Sequence, residues 1–210
     1  MKNKQRRKLI QLMGLSISLP LVSFALSNNF NDEICNKKKK KKILIAYASE
    51  YGSTVGVAKM IGKTLCSFDV RVDVKYIEHI NNIEGYEQVI IGSPIQYDTW
   101  MDEAKTFVQT YKQELSVLNV SYFFTCLTLS QKSEKAIKQA QVYADDLELL
   151  CPEIKLQSIG QFAGVLNFSK FPFSFRLLAR VMFKVLGVKE GDYRDWDAIK
   201  KWSNKIKIKG

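Results

Sequence analysis

Five short apolar runs, each separated from the next by a polar or helix-patterned stretch, constrain this chain more than any other feature. They are Ile43–Tyr47, Val70–Ile77, Gln88–Gly92, Val120–Leu127 and Ile154–Ala163. Each is bounded by turn residues and rich in β-branched or aromatic side chains, which predicts buried strands. Between them, Ala58, Ile61 and Leu65 recur at helical spacing, Met101–Tyr111 reads as a helix, and Ser133–Leu150 carries Ala136, Ala140, Ala144 and Leu147 on one face. A short polar connection around Asn81 and Asn82 joins the second run to the third, and Asp195 is placed to cap a last helix that turns Trp196, Ile199 and Ile206 inward. Strands alternating with helices predict an α/β fold with a doubly wound, five-stranded parallel sheet. Such sheets bind ligands beyond the carboxyl ends of their strands, so the loops after strands one, three and four are the candidate site.

The first of these loops, Ser49-Glu50-Tyr51-Gly52-Ser53-Thr54, leads from the first strand into the first helix. Amide groups at a helix N-terminus are unpaired and carry partial positive charge, so a turn with Gly52 for close approach and Ser49, Ser53 and Thr54 as further donors suits a phosphate. Neither a Gly-Lys-Ser/Thr ending nor Gly-x-Gly-x-x-Gly occurs here, which sets aside a nucleoside triphosphate loop and a dinucleotide loop. A plain Ser/Thr-rich helix cap would have the same composition.

The loop after strand three runs Gly92-Ser93-Pro94-Ile95-Gln96-Tyr97-Asp98-Thr99-Trp100. Gly92 and Pro94 are expected to shape the turn, Tyr97 and Trp100 to offer flat faces to a ring system, and backbone amides with the Gln96 side chain to reach the ring edge. The same aromatic residues would also serve to pack over a helix. After strand four, Thr128 and Leu129 open a third polar loop.

The chain has 210 residues and a formal charge of +11, which would fit a nucleic-acid binder if it were spread over the fold. It is not: residues 1–42 hold 11 of the 32 Lys and Arg and 2 of the 21 Asp and Glu, leaving 43–210 with 21 basic and 19 acidic groups. A near-neutral folded part argues against nucleic acid as a partner. Residues 1–27 have a basic start and an apolar run from Leu9 to Leu26, the pattern of a signal or membrane anchor. Arg6-Arg7-Lys8-Leu9-Ile10 is similar to a twin-arginine export signal, with Gln5 and Gln11 departing from it. The expected location is therefore membrane-associated or exported, with the cytoplasmic membrane face as the alternative. Residues 28–42, ending in six lysines, read as a disordered linker able to favour anionic headgroups. Cys35, Cys66, Cys126 and Cys151 show neither paired nor metal-type spacing, so no metal site and no structural disulfide are expected. The single histidine, His79, excludes a multi-histidine centre and reads as a surface or loop residue.

From residue 43 to 207 the chain resembles the flavodoxin family, through its hydroxyl-rich phosphate loop without Lys or Arg and its aromatic loop after strand three. More narrowly it is similar to the menaquinone-dependent protoporphyrinogen dehydrogenase branch, through Val89–Tyr97, Phe162-Ala163-Gly164-Val165-Leu166 and Asp195-Trp196. The resemblance implies FMN held by residues 49–54, by Ser93, Pro94, Ile95, Gln96, Tyr97 and Trp100, and by Thr128 and Leu129. It also implies an added helical insertion after strand five, at about 167–194, and electron transfer from a reduced substrate to a quinone or redox-protein partner with no acid or base side chain. An exported electron carrier without its own substrate is the alternative. A receiver-like signalling domain would need paired carboxylates after strand one, where only Glu50 is present. Gln96 stands where the branch is expected to have Arg.

The insertion has its own pattern. Phe171–Leu186 is largely apolar, with Arg176, Arg180 and Lys184 at four-residue spacing, so the cations are expected on one helical stripe with an apolar face opposite. That pattern fits a membrane interface near a lipid quinone, the propionates of a porphyrin, or a helix packed on the sheet with a solvated edge.

Overall fold

A computed structural model describes residues 33–35, 41–185 and 187–208. The expected signal segment at 1–27, most of the linker, and Leu186 of the insertion lie outside the described residues. In chain order the elements are β1 (Glu33–Cys35), β2 (Lys42–Tyr47), α1 (Ser53–Leu65), β3 (Arg71–Tyr76), β4 (Gln88–Gln96), β5 (Thr99–Trp100), α2 (Asp102–Thr110), α3 (Lys112–Val117), β6 (Asn119–Cys126), α4 (Glu134–Glu148), β7 (Leu156–Ala163), β8 (Val165–Leu166), α5 (Phe173–Val185), β9 (Gly191–Asp192) and α6 (Trp196–Lys205).

β3, β2, β4, β6 and β7 lie side by side in that order and run parallel, as the alternation of strands and helices requires. Successive side chains of a strand point to opposite faces, and both faces here are covered. Along β2, Ile43, Ile45 and Tyr47 join one core layer with Val57, Ile61 and Leu65 of α1 and Ile199 of α6. Leu44 and Ala46 join the other, with Ala104, Phe107 and Val108 of α2 and Ala140, Ala144 and Leu147 of α4. The continuous apolar runs of the sequence follow from this double burial. Gly92 is needed for packing and not for a turn: it sits within β4, and a Cβ there would lie 2.0 Å from the Phe123 ring.

Two helices begin with side-chain caps, one of them the expected Asp195 and the other Ser133, which the sequence pattern places inside its helix. Ser133 Oγ accepts from the Ala136 amide at α4, and the Asp195 carboxylate accepts from Asp197 and Ala198 at α6.

Two expectations fail at the amino-terminal edge. Part of the supposed linker is ordered: β1 pairs antiparallel with β3, Glu33 opposite Asp73 and Cys35 opposite Val72, and Lys42 already belongs to β2. Cys35 is bonded to Cys66, just past the end of α1. Their separation of 31 residues carries no motif, and only the return of β1 to the sheet edge brings the two thiols together. Cys126 and Cys151 are free and buried.

After β7, the strands β8 and β9 form an antiparallel neck for the insertion. Above it, Leu166, Phe168, Ala179 and Val188 make a small core of their own. α5 does not divide into a cationic stripe and an opposite apolar face. Ala179 is its one fully buried residue and Phe183 packs inward, whereas Phe173, Leu177, Val181 and Val185 form a second apolar stripe that is exposed. Among the described residues, no helix is long and apolar enough to cross a membrane.

Candidate functional site

The loops after β2, β4 and β6 emerge at the carboxyl edge of the sheet, where a doubly wound fold leaves its crevice. The first begins where the Ala48 amide donates to the Gly92 carbonyl (2.8 Å), tying it to β4. Ser49 Oγ accepts from the Gly52 amide at 3.1 Å, and Gly52 takes φ +84°, a left-handed conformation open to glycine at no steric cost. Gly52 is also the N-cap of α1, makes no side-chain cap, and is followed by a first turn without acidic residues. The leading amides of a 13-residue helix are thus unsatisfied and uncompensated by any carboxylate on that turn, which fits a bound anion.

Thr54 does not offer its hydroxyl to that anion. Its side chain is fully buried and Oγ1 lies 3.0 Å from Thr125 Oγ1 of β6, so it fixes the helix start to the sheet and contributes its amide alone. Tyr51 stacks on Phe171 of the insertion, ring centroids 4.9 Å apart at 30°. Burial, with the hydrogen bond to and charge of Glu50 added, raises its phenol well above the usual range, so it stays neutral at physiological pH.

The second loop is a tight hairpin that the sequence did not announce. Gln96 pairs with Thr99 and Ile95 with Trp100 across β4 and β5, leaving Tyr97 and Asp98 as a two-residue turn with φ of +50° and +66°. Two-residue hairpins favour positive φ at both central positions, normally supplied by Asn-Gly or Asp-Gly. Tyr in this region is strained, and such strain concentrates at functional sites. The hairpin lifts the Tyr97 ring into solvent, 86% exposed. It buries Trp100 to 1% exposure against Tyr122, centroids 4.8 Å apart. The expectation that both rings would face a ligand is therefore corrected: Tyr97 presents a face, and Trp100 is a core residue beneath it.

Ser93 likewise serves the loop from inside. Its buried Oγ accepts from the Met101 amide and donates to the Pro94 carbonyl, both at 3.1 Å. Pro94, Ile95 and Gln96 are half-buried along the end of β4. Gln96 Nε2 donates to the Glu50 carboxylate, closing the gap between the first two loops. Tyr143 of α4 donates to Asp98 at 2.7 Å and steadies the hairpin from the other side. Burial first, then Asp98, pushes that phenol up to about 12, against an opposing hydrogen bond with Thr128. Thr128 and Leu129, in the loop after β6, are half-buried in a 3-10 turn spanning Thr128–Gln131.

The three cations spaced along α5 fall into different surroundings. Arg176 donates through Nη2 to the carbonyls of Ser169 and Phe171 at 3.2 and 3.4 Å, which ties it to the start of the insertion, while its Nε is buried without a partner among the described residues. Arg180 lies 5.8 Å over the Phe168 ring but remains exposed, as does Lys184. Missed altogether by the sequence was Arg194, whose guanidinium reaches from the far end of the insertion to the first turn of α1. Its only sequence signal would have been Gly56 one turn into the helix.

A family model described as Flavodoxin domain matches residues 44–193. The chain is 29% identical over 171 residues to protoporphyrinogen IX dehydrogenase (quinone) of Leishmania major, covering 78% of this chain and 73% of that protein. It is 24% identical over 172 residues to the Escherichia coli K12 protein of the same name, covering 79% of this chain and 94% of that one. Among solved structures it is similar to a short-chain flavodoxin associated with a PDU bacterial microcompartment, at a TM-score of 0.50 and 10% identity, over 79% of this chain and 96% of that one. The last likeness concerns the fold alone.

Proposed function

Since this chain belongs to the flavodoxin domain family, we propose that it is an FMN-dependent oxidoreductase of the protoporphyrinogen type, passing electrons to a quinone or redox-protein partner. FMN, when bound, supplies the hydride acceptance and electron delivery that no side chain here can provide. The amides leading α1 would hold its phosphate, with Gly52 allowing close approach and Ser49 keeping the turn in shape. Exposed Tyr97 would offer a face to its ring, and Gln96, held by Glu50, would be available to the ring edge.

The observation that carries the enzyme reading over a simple electron carrier is the contact between Phe171 and Tyr51. It seats the insertion directly on the phosphate loop, so the exposed apolar stripe of α5 stands on the element adjoining the cofactor site. That stripe, with Arg180 and Lys184 along its flank, suits a membrane surface or an apolar substrate with anionic groups. The two relatives named as quinone-dependent dehydrogenases support the same reading. The Cys35–Cys66 bond supports an oxidising compartment, in keeping with export through the twin-arginine-like segment.

The full-length protein, purified and scanned in the visible range, is expected to carry a flavin spectrum or to gain one with added FMN. Anaerobic addition of protoporphyrinogen should bleach it, and a menaquinone analogue should restore it. A flavin that stays oxidised with that donor identifies the electron carrier instead, and a protein that takes up no FMN removes both. Replacing Arg6 and Arg7 by Lys should retain the protein in the cytoplasm; unchanged export refutes the twin-arginine route.

A further inference from the structure

We infer that Arg194 is a positioning residue for the phosphate-binding turn, acting through the Ser53–Thr54 peptide; this rests on the cofactor reading above. Nη1 donates to the Ser53 carbonyl at 3.4 Å. That oxygen belongs to the peptide unit whose N–H, at Thr54, is among the unpaired amides at the start of α1. A hydrogen bond received at a peptide oxygen polarises the group and strengthens the N–H at its other end as a donor. Arg194 therefore sharpens one of the donors aimed at the phosphate without touching the phosphate itself.

The surroundings hold the guanidinium to this task. Asp192 engages it in a two-pronged ion pair, Nε to Oδ1 at 2.9 Å and Nη2 to Oδ2 at 2.6 Å, and also accepts from the Arg194 amide at 3.1 Å. Trp196 lies under it, with Cζ 4.4 Å from the ring centroid. Gly56 makes the room: a Cβ there would sit 2.2 Å from Nη1. A glycine inside a helix is disfavoured relative to alanine, and here it has a steric reason. Because Asp192 neutralises the cation, Arg194 works through hydrogen-bond geometry more than through its net charge. Asp192 belongs to β9, opposite Val165 of β8, so this strut runs from the neck of the insertion to the phosphate turn.

The test compares two ligands that differ in the phosphate alone. Arg194→Ala in the full chain should weaken FMN binding roughly three- to tenfold, while riboflavin affinity stays within about twofold. Gly56→Ala, which displaces Nη1 while keeping every charge, should reproduce the loss. Arg194→Lys cannot make the two-pronged pair and should fall with Arg194→Ala. Equal losses for both ligands would mark Arg194 as a general structural residue, and no loss for either would leave it outside cofactor binding; each result overturns the inference. A wild-type chain that binds neither ligand removes the cofactor reading, and this inference with it.

Discussion

Cutting the bond between Cys35 and Cys66 should destabilise the domain by an amount that follows from where the two residues sit. The bond closes a loop of 31 residues that contains β2, the phosphate turn and α1. Closing a loop of that length removes conformational entropy from the unfolded chain corresponding to about 3.7 kcal/mol at 25 °C. In a folded unit of this size, 1 kcal/mol moves the melting temperature by about 2–4 °C, so the expected drop is roughly 7–15 °C. The assay is thermal unfolding followed by circular dichroism on full-length wild type with and without a phosphine reductant, alongside Cys35→Ser. Reduced wild type and Cys35→Ser should melt together, well below the oxidised protein, because both release the same loop. A reduced protein melting within about 2 °C of the oxidised one would refute the loop-closure argument.

The two aromatic residues of the hairpin should separate cleanly. Tyr97→Ala, at an exposed position, should change stability by no more than about 0.5 kcal/mol yet weaken FMN binding three- to tenfold or so in a fluorescence titration. Trp100→Ala should instead cost about 3–5 kcal/mol in denaturant unfolding, since it empties a core site against Tyr122. The Arg194 side chain holds the Asp192 carboxyl below its ordinary value, so its contribution to stability is present above the unfolded value of about 3.9 and is lost as pH falls through the lower folded one. The stability gap between wild type and Asp192→Asn should therefore hold from neutral pH to about pH 5 and close below about pH 4; a gap that widens toward acid would contradict the pairing.

The parallel sheet was legible because both its faces are covered, which writes β2, β4 and β6 as unbroken apolar runs. α4 was legible from Ala136, Ala140, Ala144 and Leu147 recurring on one face, and α6 because Asp195 caps it in plain view. What escaped depends on contacts between residues far apart in the chain. The hairpin at Tyr97 and Asp98 lacks the glycine or asparagine that usually marks such a turn, and its consequence, Trp100 turned into the core, could not be read without it. Gly92 looked like a turn residue because its role depends on Phe123, a strand away. β1 has three residues and no periodicity, and exists through its pairing with β3 and the bond at Cys66. The split of α5 into an inner and an outer apolar stripe was hidden because composition reports how much of a helix is apolar, not which side finds a partner.

β1 also decides what this sheet can do in company. Parallel sheets end in a row of unpaired amides and carbonyls, a template on which another chain can add a strand. Here the β3 border is occupied at Val72 and Asp73 by the chain's own β1, held by a covalent bond beyond the strand. β3 reinforces the closure with a charge turned inward, Asp73, which accepts from Tyr86 at 2.7 Å beside Arg71. A foreign strand docking there would have to displace one already pinned. The bond that joins two cysteines therefore also guards this border: once it is reduced, β1 would be held there by its backbone pairing alone, and self-association along β3 is expected to become easier than in the oxidised protein.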